Sequence, residues 1–211
     1  MILDKHKTIF VHIPKNAGTS IKKLLIGNED FKSLKRPWKH ETIVNIKKSN
    51  PEVYNSYKKF AVIRNPYDRM VSMYAFLKRY GSSNDLLNTY QYNSKTNSYE
   101  IIETAKAPID EFRHWWKDKN ADPQKIHGDL EIAKRLFNSQ SDWIDDTVHI
   151  IKYENLDNDL SDFLNKEIEL PIENDSYTFE YTKYYNQEIA DIIYDRYKED
   201  FEKFDYKKLE L

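Results

Sequence analysis

The sequence predicts an α/β fold, a parallel β-sheet covered on both faces by helices. Two observations carry this. Short apolar runs rich in β-formers, at Thr8–Ile13 and Phe60–Ile63, are each followed by a tight polar loop and then by helical periodicity. Strands that alternate with helices in this way build parallel sheets with helices packed on them. The chain has 211 residues, a length that suits one domain with one substantial core, so residues 1–211 are expected to form a single domain.

Taken in order, Thr8–Ile13 reads as a buried strand, and Pro14 to Gly18 break it. From Thr19 a helix fits, with Ile21, Leu24 and Leu25 on one face and Gly27-Asn28 ending it. Phe60–Ile63 is the next strand. Asn65 can cap the helix that follows, with Pro66 at its first position and Asp68 reaching back, and Met70, Tyr74 and Leu77 lining one face. A third strand is expected at Val148–Lys152, and a helix from about Leu156 to Leu164. A last amphipathic helix covers roughly Gln187 to Phe201, with Ile189, Ile192, Ile193 and Tyr197 on one side. The stretch Ser82–Asp146 is polar and aromatic and fits the alternation less well. Helices are expected in it near Ser98–Lys106 and Asp129–Phe137, and residues 82–146 read as a helical and loop insertion over the site.

The bulk composition excludes several classes of function. Lys and Arg total 33 against 35 Asp and Glu, so no global field exists to hold nucleic acid or an acidic membrane, and any anion site must be local. The absence of cysteine removes disulfides, thiolate metal sites and a cysteine nucleophile. The six histidines are scattered with no pair at ligand spacing, so no metal is expected. The chain has neither an apolar signal core nor a run approaching the roughly 18 apolar residues of a membrane span, which makes the cytoplasm the default compartment. Nothing in the sequence sets an oligomeric state.

Two loops carry chemistry, and both are expected beyond the carboxyl ends of strands, where ligands bind in open α/β sheets. The first is His12-Ile13-Pro14-Lys15-Asn16-Ala17-Gly18-Thr19-Ser20. A helix starting there presents its first backbone N–H groups and the positive end of its dipole to an anion. Gly18 allows close backbone approach, Lys15 adds a point charge, and Thr19 and Ser20 add hydroxyl donors. The loop is P-loop-like but is not the nucleotide-triphosphate motif, which requires a Gly-Lys-Ser/Thr ending. Here Lys15 precedes Gly18 by three positions, which counts against a magnesium-dependent kinase. The second loop lies in Phe60-Ala61-Val62-Ile63-Arg64-Asn65-Pro66-Tyr67-Asp68-Arg69-Met70-Val71-Ser72-Met73-Tyr74. Arg64 stands at the strand end, where its guanidinium can grip a phosphate through two hydrogen bonds, and Ser72 on the following helix can donate to the same group. By itself this stretch favours an arginine paired to a carboxylate and a serine bonding its own helix over an anion site.

Together, the Pro-Lys-x-x-Gly-Thr-Ser and Arg-Asn-Pro-x-x-Arg-x-x-Ser stretches resemble the sulfotransferases that use 3′-phosphoadenosine 5′-phosphosulfate (PAPS), specifically the branch that modifies carbohydrates. The resemblance implies the sulfotransferase fold, PAPS as donor, the desulfated nucleotide PAP as product, and no metal. It assigns Lys15, Asn16, Ala17, Gly18, Thr19 and Ser20 to the 5′-phosphosulfate, and Arg64 and Ser72 to the 3′-phosphate. Weaker matches follow at His149-Ile150-Ile151-Lys152-Tyr153-Glu154-Asn155-Leu156 and at Tyr197–Phe201 with Phe204 and Tyr206. Ser82–Asp146 matches little.

Sulfuryl transfer is an in-line displacement comparable to phosphoryl transfer. Lys15 is the expected stabiliser of the leaving phosphate. The family implies a base near Trp38-Lys39-His40-Glu41-Thr42, with His40 first and Glu41 in reserve. The acceptor is a hydroxyl, on a glycan if the branch holds. His12 reads as a core histidine, Arg69 as a loop stabiliser, and His114, Trp115 and Trp116 as packing or a sugar-facing surface. The competing readings are a non-catalytic nucleotide- or glycan-binding module on the same fold, and a P-loop kinase.

Overall fold

A computed structural model describes residues 1–27, 40–80, 90–93, 98–101, 109–119, 135–168, 170 and 180–211. In chain order its elements are β1 Ile2–Leu3, β2 Thr8–Val11, α1 Gly18–Ile26, α2 Ile43–Ser49, α3 Pro51–Ser56, β3 Lys58–Ile63, α4 Pro66–Tyr80, β4 Tyr90–Asn93, β5 Ser98–Ile101, α5 Ile109–Lys119, β6 His149–Lys152, α6 Leu156–Leu164, α7 Gln187–Arg196 and α8 Lys198–Lys203. This is the mixed α/β class that the alternation predicts. The described residues divide into two compact units, each with its own core.

The first unit comprises residues 1–65, 138–174 and 202–205 and holds a four-stranded sheet of order β1-β2-β3-β6. β2, β3 and β6 run parallel, with Val11 opposite Ala61 and Ile63 opposite Lys152. Their carboxyl ends therefore meet at one edge of the sheet. Phe10, Phe60, Val62 and Ile151 of these strands pack with Ile21 and Leu25 of α1 and Leu160 of α6. Phe10 stacks on Phe60 with ring centroids 4.8 Å apart. Ile9, Val11, Ala61 and Ile63, on the alternate positions, are also buried, as a sheet covered on both faces requires. β1 pairs antiparallel with β2, an edge strand that the apolar-run reading does not find because it is only two residues long.

The second unit comprises residues 66–137, 175–201 and 206–211. Its core is aromatic: Tyr67, Tyr74, Phe112, Trp115, Trp116 and Tyr185 pack together with Met70, Ile189 and Ile193. The ring hydroxyls find backbone partners. Tyr185 donates to the Tyr67 carbonyl at 2.8 Å, Tyr67 to that of Ala190 at 3.2 Å, and Tyr197 to that of Phe137 at 3.0 Å. Arg113 ties α5 to the turn Tyr181–Tyr184, donating to the carbonyls of Tyr184 at 3.0 Å and Tyr185 at 2.9 Å.

Two expectations need correction, and one helix falls where none is expected. Ser98–Ile101, predicted as the start of a helix, is a strand paired antiparallel with β4. Ser98-Tyr99-Glu100-Ile101 alternates polar and apolar residues, but four residues are too few to separate that period of two from a helical one. The helix α5 was not predicted, although Phe112, Trp115 and Trp116 fall at helical spacing. The final helix is two helices, α7 and α8, which part at Tyr197. Of the helix expected at Asp129–Phe137, residues 135–137 are helical. Residues 102–106 and 129–134 lie outside the described residues.

Candidate functional site

The loop between β2 and α1 is wound tightly. Lys15 and Ala17 both lie in the left-handed region, at φ 69° and 56°, with Asn16 between them. Each such L-residue costs of order 1–3 kcal/mol, a strain typical of ligand clamps. Alternating backbone hand also turns successive N–H groups into a common concavity suited to an anion. Ala17 is the N-cap of α1, and an alanine has no side-chain acceptor for the helix's first N–H groups. The helical ladder begins only with the Ile21 N–H on the Ala17 carbonyl at 3.1 Å. Gly18, Thr19 and Ser20 thus present their N–H groups ahead of the ladder, at the positive end of the dipole. Ser20 is buried, whereas Thr19 is exposed.

Gly18 is required for a reason the sequence does not disclose. A Cβ at this position would lie 1.7 Å from His12 Nε2. The close approach that glycine permits is that of the His12 ring, which is buried, stacked on Phe10 at 5.4 Å and tilted against His40 at 4.3 Å. His12 is therefore a core histidine packed beneath the loop.

His40, half-buried, places Nδ1 3.1 Å from the His12 carbonyl oxygen. A carbonyl only accepts, so Nδ1 carries the proton, and in the neutral ring Nε2 is the basic nitrogen. Trp143 lies edge-on to the His40 ring at 6.5 Å. Glu41, also half-buried, accepts from Asn45 Nδ2 at 2.5 Å, next to Thr42, whose side chain caps α2 by accepting from the Asn45 N–H.

Arg64 is the first residue beyond β3. Its Nη1 donates to the Lys15 carbonyl at 3.1 Å, which brings the second loop against the first. The Tyr153 ring lies 4.1 Å from the Arg64 guanidinium carbon, and Glu154 accepts from the Asn65 N–H at 2.9 Å. The Tyr-Glu pair at the end of β6 thus supports the Arg64-Asn65 pair at the end of β3. Sequence reasoning noted Tyr153 and Glu154 only as a weak match, without a role.

Sequence reasoning missed Gln140 entirely. Fully buried, it accepts from the Arg64 N–H at 3.0 Å and donates to the Arg64 carbonyl at 2.9 Å. Its Oε1 also accepts from Asn16 Nδ2 at 2.7 Å, and Asn16 donates in turn to the Val62 carbonyl at 2.6 Å. No signal in the sequence separates this glutamine from a surface one.

The structure therefore gathers Lys15, Asn16, Ala17, Gly18, Arg64 and, through His12, His40 within the first unit. Ser72 is buried on α4 in the second. Arg69, fully buried in that unit, donates to the Leu136 carbonyl at 2.9 Å, and Trp115 and Trp116 belong to its core. Arg69 thus fastens the backbone, and the two tryptophans pack. Among the described residues no group of three or more His, Asp or Glu could hold a metal ion, and no helix is long and apolar enough to cross a membrane.

A family model described as "Sulfotransferase family" matches residues 1–207. No curated protein and no solved structure matches the chain.

Proposed function

The chain belongs to the sulfotransferase family, and we propose that it transfers the sulfuryl group of PAPS to a hydroxyl on a carbohydrate acceptor. One observation carries the choice of donor: the Arg64 guanidinium donates to the carbonyl of Lys15. This joins two anion-gripping elements, a lysine loop at a helix start and a strand-end arginine. PAPS is a nucleotide with two separate anionic groups, and it asks for two such elements in one site.

In this reading the N–H groups at the start of α1, with the Thr19 and Ser20 hydroxyls and Lys15, hold the 5′-phosphosulfate. Arg64 grips the 3′-phosphate, with Ser72 assigned to the same group by the sequence match alone. PAPS supplies an activated sulfuryl group and, on transfer, a phosphate leaving group. The acceptor oxygen forms a bond to sulfur as the bond to the PAP phosphate breaks. Lys15 offsets the charge that grows on that leaving phosphate, a stabilisation stronger in the transition state than in the ground state. His40 takes the acceptor's proton at Nε2. The His12 carbonyl supports this by holding the proton at Nδ1 and orienting the ring. Glu41 is the less favoured base, since one of its oxygens is engaged by Asn45. The carbohydrate acceptor rests on the branch that the two loop motifs resemble.

The test is calorimetric titration with PAP and, separately, with ATP plus magnesium. PAP is expected to bind at micromolar or tighter affinity and ATP weakly. Arg64→Ala is expected to cost about 1.5–3 kcal/mol of PAP binding, the range of a charged hydrogen bond. ATP binding with magnesium in the absence of PAP binding would replace this reading by a kinase.

A further inference from the structure

We infer that Gln140 is a positioning residue for the donor site, setting the backbone of Arg64 and locking it to the Lys15–Ala17 loop. The inference rests on the PAPS reading above. β2 stops pairing with β3 at Val11 opposite Ala61. Beyond that point side-chain amides continue the ladder: Asn16 takes the Val62 carbonyl, and Gln140 takes both the N–H and the carbonyl of Arg64. A residue paired through both backbone groups has little freedom in φ and ψ, so the direction in which Arg64 leaves the sheet is set by Gln140.

The chemistry required at this position is narrow. Gln140 accepts twice through Oε1, from the Arg64 N–H and from Asn16 Nδ2, and donates once through Nε2. A primary amide offers both functions on one rigid plane. A glutamate would keep the acceptors but turn an oxygen toward the Arg64 carbonyl. A methionine, of similar length, would keep the volume and lose all three bonds. Because Gln140 is fully buried, the groups it abandons would find no water to replace it. The shared Oε1 makes the clasp bidirectional: Asn16 lies between the two left-handed residues of the first loop, so a shift of Arg64 is felt there, and the reverse. Gln140 touches no substrate in this scheme. It acts chiefly through Arg64 and, by way of Asn16, on the first loop.

The test is a double-mutant cycle on PAP binding with wild type, Gln140→Met, Arg64→Ala and the double variant, read by calorimetry beside thermal denaturation. Gln140→Met is expected to weaken PAP by about tenfold or more, roughly the worth of one or two hydrogen bonds. In the Arg64→Ala background the same change is expected to weaken PAP by a clearly smaller factor, because the part of its effect that runs through the Arg64 side chain is gone and only the part through Asn16 remains. Should the methionine variant fail to fold, Gln140→Glu is read in the same way, since it retains both acceptor bonds. Wild-type affinity in the single variant would overturn the inference, and so would an equal loss in both backgrounds, which is the mark of a merely structural role. Failure of the wild-type protein to bind PAP would instead remove the donor reading itself, and this inference with it.

Discussion

The Tyr153 ring lies over the Arg64 guanidinium, 4.1 Å from its carbon, at the end of two parallel neighbouring strands. Arg64 is thereby held on three sides: by Tyr153 at its face, by the Lys15 carbonyl at Nη1, and by Gln140 along its backbone. A cation–π contact of this kind is worth about 0.5–2 kcal/mol. Tyr153→Ala is therefore expected to weaken PAP binding by several-fold, and Tyr153→Phe, which keeps the ring, to leave it close to wild type. Equal losses in the two variants would mean that the hydroxyl, not the stack, is what matters.

His40 and Glu41 are adjacent in sequence but differently engaged, which lets the base be identified. His40→Ala is expected to lower kcat by about 10²–10⁴, the usual contribution of a general base, with little change in PAP affinity. It should also abolish the acid limb of the pH–rate profile. Glu41→Gln is expected to change kcat little. The reverse pattern in steady-state kinetics would make Glu41 the base.

Replacing Gly18 by alanine puts a Cβ 1.7 Å from Nε2 of His12, whose ring packs against Phe10 and His40. Overpacking of this kind costs about 1–3 kcal/mol. Urea unfolding should register that loss in Gly18→Ala and a smaller one when His12→Ala is present beforehand. Additive losses would show that the clash is relieved elsewhere.

Tyr67 carries an alkaline limit on stability. Burial pushes its pKa up to about 12, against the opposing effect of the Leu209 N–H that its oxygen accepts at 3.3 Å. Burial also raises Tyr185, Tyr184 and Tyr197. An unfolded tyrosine ionises near pH 10, so above that pH the unfolded chain releases a proton that the folded chain retains. Stability is thus fully present below about pH 10 and falls as pH rises through the folded value. The urea midpoint should drop between pH 10 and 12, and Tyr67→Phe should flatten that drop. A midpoint that stays constant through this window, followed by tyrosinate absorbance, would contradict the assignment.

How far the site was legible depends on sequence distance. Lys15, Gly18 and Arg64 stand in contiguous strand–loop–helix motifs, so local periodicity and the turn residues marked the first loop, and the resemblance of the two motifs together marked Arg64. The same local logic placed β2, α1, β3 and α6. It failed at Ser98–Ile101, where four residues are too few to separate a period of two from one of 3.6, and at β1, which is shorter still.

Other relationships belong to the tertiary structure alone. Gln140 is 76 residues from Arg64 and 124 from Asn16, and Glu154 is 89 from Asn65. His12 looks like any strand histidine until the turn into α1 brings Gly18 against its ring. The sequence by itself determined the class of fold and pointed to two candidate anion loops, because strand, turn and helix start arise from hydrogen bonding and periodicity within a few consecutive residues. Which side chains aim and brace those loops was decided only by the parallel pairing of β2, β3 and β6. That pairing sets remote residues side by side at one sheet edge, where a buried amide or an aromatic face acquires a partner its own neighbours in sequence do not foretell.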